Sequence, residues 1–180
     1  MQDIGDYGEI NLVVARYALL IDSGNPDRLV SDVFTEDTVL DYGTGEITGE
    51  ETIRQFFAGA TTLAGSMHFV SNFSICIDGD LSSSLCYYQA WHWFAKDGED
   101  KLPAVDLVTV GCYDDHLVRT DVGWPIRRRT LRPLAPGPVG FGTPPDYLRQ
   151  MLEQRADQPG MRTPGSPPLA AQPRPGTALR

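Results

Sequence analysis

His68, His92 and His116 are the only histidines among 180 residues, and imidazole is the side chain whose ordinary titration lies closest to neutral pH. His68 and His92 fall inside stretches patterned like strands. By strand parity His68 shares a face with Val70 and Asn72, while His92 shares one with Tyr88, Ala90 and Phe94. Each is then a polar group among apolar neighbours, and a buried imidazole requires a partner. Asp22 offers one. It follows the apolar face of the first predicted helix, at the negative end of the helix dipole, where a carboxylate is disfavoured unless something compensates it. Two readings are open for Asp22: an exposed helix-end acid facing Arg28 or solvent, or a carboxylate that holds a histidine in one tautomer and stabilises its imidazolium. A lone strand histidine divides in the same way, between a satisfied structural group and a general base.

Other chemistry finds less support. Histidines spaced 24 residues apart provide no short chelating pair, so no metal site is expected despite Asp106, Asp114 and Asp115. No GxGxxG or P-loop pattern occurs, and no cofactor is expected. Cys76, Cys86 and Cys112 are odd in number and lack CxxC spacing, which argues against a disulfide framework or zinc knuckle and makes the reduced cytoplasm the default compartment. Arg127, Arg128 and Arg129 lie on the last predicted strand, where alternation sends them to opposite faces, and a solvated or interfacial strand face is the expected meaning. Asp114-Asp115-His116 reads as exposed, and Trp91, Trp93 and Trp124 as core or subunit interface.

These side chains need a scaffold. Ile10, Val13, Val14, Tyr17, Ala18 and Ile21 recur at helical spacing and predict a helix over 9–21. Ser23-Gly24 breaks it, Asn25 can cap and Pro26 can open a short second helix with Leu29, Val30 and Val33. Thr38 to Tyr42 reads as a strand, and Thr48-Gly49-Glu50-Glu51 as the capping box of a third helix burying Ile53, Phe56, Phe57 and Ala60. From Ser66 onward, β-branched and aromatic stretches separated by turns at 78–80, 96–100 and 121–123 predict a four-stranded antiparallel meander. The fold class is α+β: a cone-shaped, curved antiparallel sheet with three helices on its concave face, where a pocket forms. Phe69, Phe73, Ile75 and Ile77 alternate opposite His68, and an outer sheet face this apolar points to a homo-oligomer, dimer or trimer, associating through the sheet.

The formal charge of -9 is uneven, because residues from Pro133 onward carry five arginines against three acids. The acidic remainder excludes a nucleic-acid partner, since phosphate contacts need clustered Lys and Arg. Eleven of the 14 prolines also lie at or beyond Pro133. The division expected is a folded domain over 1–132, a loop and short helix over 133–156 with Tyr147, Leu148, Met151 and Leu152 apolar, and a flexible Pro/Gly-rich tail over 157–180. An acidic N-terminus and the absence of a long apolar run argue against a signal peptide and a membrane span.

The order of elements resembles the SnoaL-like branch of the nuclear transport factor 2 superfamily. The residues that carry the likeness are Tyr17 through Leu29 with Asp22, Val39-Leu-Asp-Tyr42, His68-Phe-Val-Ser-Asn72, Asp78-Gly-Asp80, and Gly111-Cys-Tyr113 leading to Trp124. Within that branch the motifs are most similar to the scytalone dehydratase and hexachlorocyclohexane dehydrochlorinase group. The resemblance implies an Asp22–His68 dyad, Tyr42 as the tyrosine polarising the substrate, and His92 near the second pocket histidine. Tyr113 falls where the dehydratase has an asparagine, and Ile21 where it has a second tyrosine. Tyr17, Asn72, Tyr88 and Tyr113 are expected to contact a small-molecule substrate. The function implied is that of a cofactor-independent lyase (dehydratase) or cyclase acting on a small apolar carbonyl or polyketide-type metabolite. A pericyclic cyclase working by pocket shape and a non-catalytic binding or interaction module are the alternatives.

Overall fold

A computed structural model describes residues 4–59, 63–94, 106–134, 146 and 149–150 of the chain. The expected turn over 96–100, Ala60, most of the segment after Leu134 and the expected helix around Tyr147 lie outside the described residues.

Helix α1 (Ile4–Asp22) begins earlier than periodicity indicates, and its predicted face of Ile10, Val13, Val14, Tyr17, Ala18 and Ile21 is buried. After Gly24, at φ 63°, helix α2 (Pro26–Val33) starts with Pro26 in its first turn, and the Asn25 side chain accepts from the Arg28 backbone N–H. Strand β1 (Phe34–Asp41) follows directly and turns through Gly43 and Gly45 into β2 (Glu46–Thr48). Helix α3 (Glu50–Ala58) packs with Ile53 and Phe57 buried and Phe56 partly so. Its capping box does not form, because Thr48 is committed to pairing with Val39 and Gly49, at φ 85°, takes the cap position without a side-chain bond.

Strands β3 (Leu63–Asp78), β4 (Leu81–Phe94), β5 (Leu107–Val118) and β6 (Ile126–Pro133) make the expected antiparallel meander. The first hairpin turns at Gly79-Asp80, where Gly79 supplies a positive φ of 60°. All six strands form one curved, unclosed sheet in the order β2-β1-β6-β5-β4-β3. The α+β class holds, but the sheet is mixed: β1 lies parallel to β6. The Thr38 hydroxyl donates to the Ile126 carbonyl at 2.7 Å across this junction.

Two bulges decide which side chains face inward. Between Ser71 and Ser74, β3 holds one residue more than β4, with Asn72 at φ 55°. Parity therefore reverses at Asn72. His68 and Val70 face the helices before it, and Phe73, Ile75 and Ile77 pack against the same core after it. This corrects the outer face expected from alternation: Phe69 is exposed there with Met67 and Tyr87, but Phe73, Ile75 and Ile77 are not part of it.

A second register shift, where Leu117 pairs with Ile126 but His116 with Arg128, leaves Arg127 as the extra residue of β6. Arg127 and Arg128 stay at the surface, ion-paired to Asp37 and Glu46, while Arg129 turns fully inward. The solvated reading thus fails for Arg129, and the exposed reading fails for Asp115, its buried cross-strand partner.

Candidate functional site

The C-terminus of α1 meets the start of β3, and this junction brings Asp22 to His68. Asp22 Oδ1 lies 2.6 Å from His68 Nδ1 and accepts from the Ser66 hydroxyl at 2.8 Å, while Oδ2 accepts the His68 backbone N–H at 2.8 Å. The carboxylate disfavoured at a helix C-terminus is thereby compensated by donors from β3 alone. Burial works to raise the Asp22 pKa, but the hydrogen bonds from His68, its charge and the Ser66 hydroxyl outweigh it and hold the carboxyl below its ordinary value. An ionised Asp22 makes Nδ1 of His68 the protonated nitrogen and leaves Nε2 as the basic one. The His68 side chain retains 8% exposure and that of Asp22 22%.

Inward alternation along β4 places His92 beside His68, with ring centroids 5.6 Å apart. Burial, then the neighbouring imidazole, pushes the His92 pKa down to about 4. Its Nδ1 is buried and has no hydrogen-bond partner among the described residues.

Tyrosines occupy the other side of the dyad. The Tyr17 ring meets His68 edge-on with centroids 6.5 Å apart, and its hydroxyl lies 2.9 Å from that of Tyr42. Tyr17 stands one helical turn before Ile21 on α1. Tyr113 meets Tyr17 at 5.5 Å and stacks on Tyr88 at 4.5 Å. All four tyrosines are buried. Desolvation raises the pKa of Tyr17, Tyr42 and Tyr113, which keeps these phenols protonated at neutral pH.

Of the residues singled out in the sequence, Asp22, His68, His92, Tyr17, Tyr42, Tyr88 and Tyr113 thus gather in one contiguous cluster. Asn72 does not; it sits exposed at the β3 bulge. Ser66, Asp115 and Arg129 were missed. Ser66 was within reach, since it lies two residues before His68 on the same strand face. Asp115 was within reach as well, since it alternates with the buried Tyr113 and Leu117 along β5, whereas Arg129 was not, because the β6 bulge defeats counting by twos.

Among the described residues no three His, Cys, Asp or Glu side chains converge to hold a metal ion. No described helix is long and apolar enough to cross a membrane. A separate surface groove of about 830 Å³ runs between α1 and the 119–125 turn, lined by Glu9, Arg16, Asp32 and Trp124, without reaching the dyad.

The family described as the SnoaL-like domain matches residues 2–130. An uncharacterised protein of Mycobacterium tuberculosis is 35% identical over 133 residues, covering 71% of this chain and 84% of that protein. Among solved structures, a "Putative Scytalone Dehydratase" from Novosphingobium aromaticivorans shares the fold with TM-score 0.67 at 22% identity, over 78% of this chain and 91% of its own. A "putative aromatic ring hydroxylase" from the same organism has TM-score 0.66 at 28% identity, over 78% of this chain and 96% of its own.

Proposed function

The chain belongs to the SnoaL-like domain family, and from that premise we propose that it is a cofactor-independent acid–base enzyme. The substrate class is a small, largely apolar carbonyl or polyketide-type metabolite, and the reaction a dehydration or a cyclisation that begins at carbon next to the carbonyl. The observation that carries this reading is the 2.6 Å contact between His68 Nδ1 and Asp22 Oδ1. A carboxylate there fixes the tautomer with Nε2 free to take a proton, and stabilises the imidazolium that results.

His68 Nε2 removes a proton from the α-carbon, and the electron pair moves onto the carbonyl oxygen. Tyr42 donates a hydrogen bond to that oxygen and keeps its own proton. In a dehydration, the pair returns to expel hydroxide from the β-carbon, and the proton held by His68 goes with it as water. His92, neutral at pH 7 because its pKa lies near 4, contributes as an uncharged imidazole beside His68. Positioned groups of this kind accelerate proton transfer by roughly 100-fold to 10,000-fold each.

The test is deuterium exchange into a panel of cyclic ketones and enones in heavy water, followed by mass spectrometry. Exchange by the wild type, lost by more than 100-fold in a folded His68→Ala variant and reduced in Asp22→Asn, is expected. Exchange that survives His68→Ala undiminished overturns the dyad's role.

A further inference from the structure

Beneath the dyad the core encloses an ion pair. Arg129 and Asp115 are both 0% exposed and are joined by two 2.7 Å hydrogen bonds, from Nε and Nη2 to the two carboxylate oxygens. That pairing uses one edge of the guanidinium. Nη1 points from the opposite edge, buried and without a hydrogen-bond partner among the described residues. The guanidinium carbon sits 4.0 Å from the centre of the Tyr17 ring and 4.1 Å from that of Tyr113. The guanidinium thus lies over both tyrosine rings, and the Tyr17 ring in turn meets the dyad imidazole edge-on.

Stability alone explains this poorly. Burying an ion pair costs desolvation on both partners, and apolar residues of like volume often serve a core equally well or better. A cation laid on a tyrosine face, in contrast, draws electron density from the ring and strengthens the O–H as a donor. Its field in a low-dielectric interior also favours negative charge nearby.

We propose that Arg129, held in place by Asp115, is a positioning residue that primes the Tyr17 and Tyr42 hydroxyls to receive a negatively charged substrate oxygen. The charged species to be received is the enolate oxygen of the reaction above, and an ionised ring phenol is its stable stand-in. This rests on the acid–base reading above and deepens it. The charge balance is simple. The oxygen gains the electron pair released from the α C–H bond, the proton goes to His68, and the tyrosines keep theirs. Burial raises the Tyr17 and Tyr42 pKa values, which fits donors rather than phenolates; Arg129 acts against the rise at both without cancelling it, while Asp115 adds to it at Tyr42.

The test uses 4-nitrophenol and a series of phenols of graded acidity, titrated into the full-length protein and followed by the nitrophenolate absorption band. The wild type is expected to bind the ionised form at least tenfold more tightly than the neutral one, with affinity rising as phenol acidity rises. An Arg129→Met/Asp115→Leu variant, its folding checked by near-UV circular dichroism, is expected to lose that preference. Arg129→Lys is expected to keep part of it, and Tyr42→Phe to weaken it. A wild type that does not bind the phenols, or shows no preference for the ionised form, overturns the proposal, as does a folded double variant that keeps the preference. If the double variant does not fold, the acidity series on the wild type and Tyr42→Phe decides. Proton exchange measured on the wild type separates the two readings: phenolate preference without exchange sinks the acid–base reading alone, and exchange without phenolate preference sinks this one alone.

Discussion

His68 and His92 are neighbours with opposite surroundings. His68 has a carboxylate at its Nδ1; at His92 burial and the neighbouring imidazole outweigh the Leu107 backbone and the more distant Asp22, and its pKa falls to about 4 from 6.5. An unfolded chain takes up a proton at this histidine between these two values while the folded one does not. Stability contributed by a neutral His92 is therefore full above pH 6.5 and is lost as the pH falls toward 4. Between pH 7 and pH 5 that loss amounts to about 2 kcal/mol. Urea unfolding at the two pH values should show the difference shrinking by about that amount in His92→Gln; an unchanged difference would mean that other groups carry the acid sensitivity. Local features mark Asp22 as a helix-end acid and His68 as a strand histidine but leave their pairing open; the family resemblance is what implied the dyad. Arg129 was illegible for a physical reason: one extra residue at Arg127 reverses inside and outside, and no local propensity announces it.

At the scale of elements, the same limit recurs in β3, where Asn72 sends Phe73, Ile75 and Ile77 to the core side. The helices, the Asn25 cap and the turn at Gly79 could be read from periodicity and from Gly, Pro and Asn, whereas the Thr48 capping box was misread. Bulges, and the parallel pairing of β1 with β6, depend on contacts between distant strands. Gly111 of β5 shows how tightly such contacts are fitted. A Cβ there would lie 2.4 Å from the Arg132 carbonyl oxygen and 2.6 Å from the Tyr88 ring. Backbone on one side and a ring stacked on Tyr113 on the other leave nothing free to yield. Gly111→Ala is expected to cost about 3 kcal/mol in chemical denaturation, and to disturb the Tyr88–Tyr113 stack visibly in near-UV circular dichroism. A variant as stable as the wild type would show that the two strands move apart easily.

For the molecule as a whole, the division expected near Arg132 predicts that a fragment spanning 1–134 unfolds at the same temperature as the full chain. A fragment ending at Pro125 should not fold, since it lacks Arg129, Leu131 and the strand that joins β1 to the meander. Differential scanning calorimetry of both checks this, and a large drop in midpoint for the longer fragment would place part of the fold beyond Leu134. The parallel junction has a further, kinetic consequence. Thr38 and Ile126, bonded across it, are 88 positions apart in sequence, and contacts of such long separation are the slow ones to close. On a ribosome, β1 has no lasting neighbour on that side until nearly all of the domain has been made. The strand that supplies this neighbour also supplies Arg129, so the site gains its buried charge only as the fold reaches completion, and incomplete chains lack it.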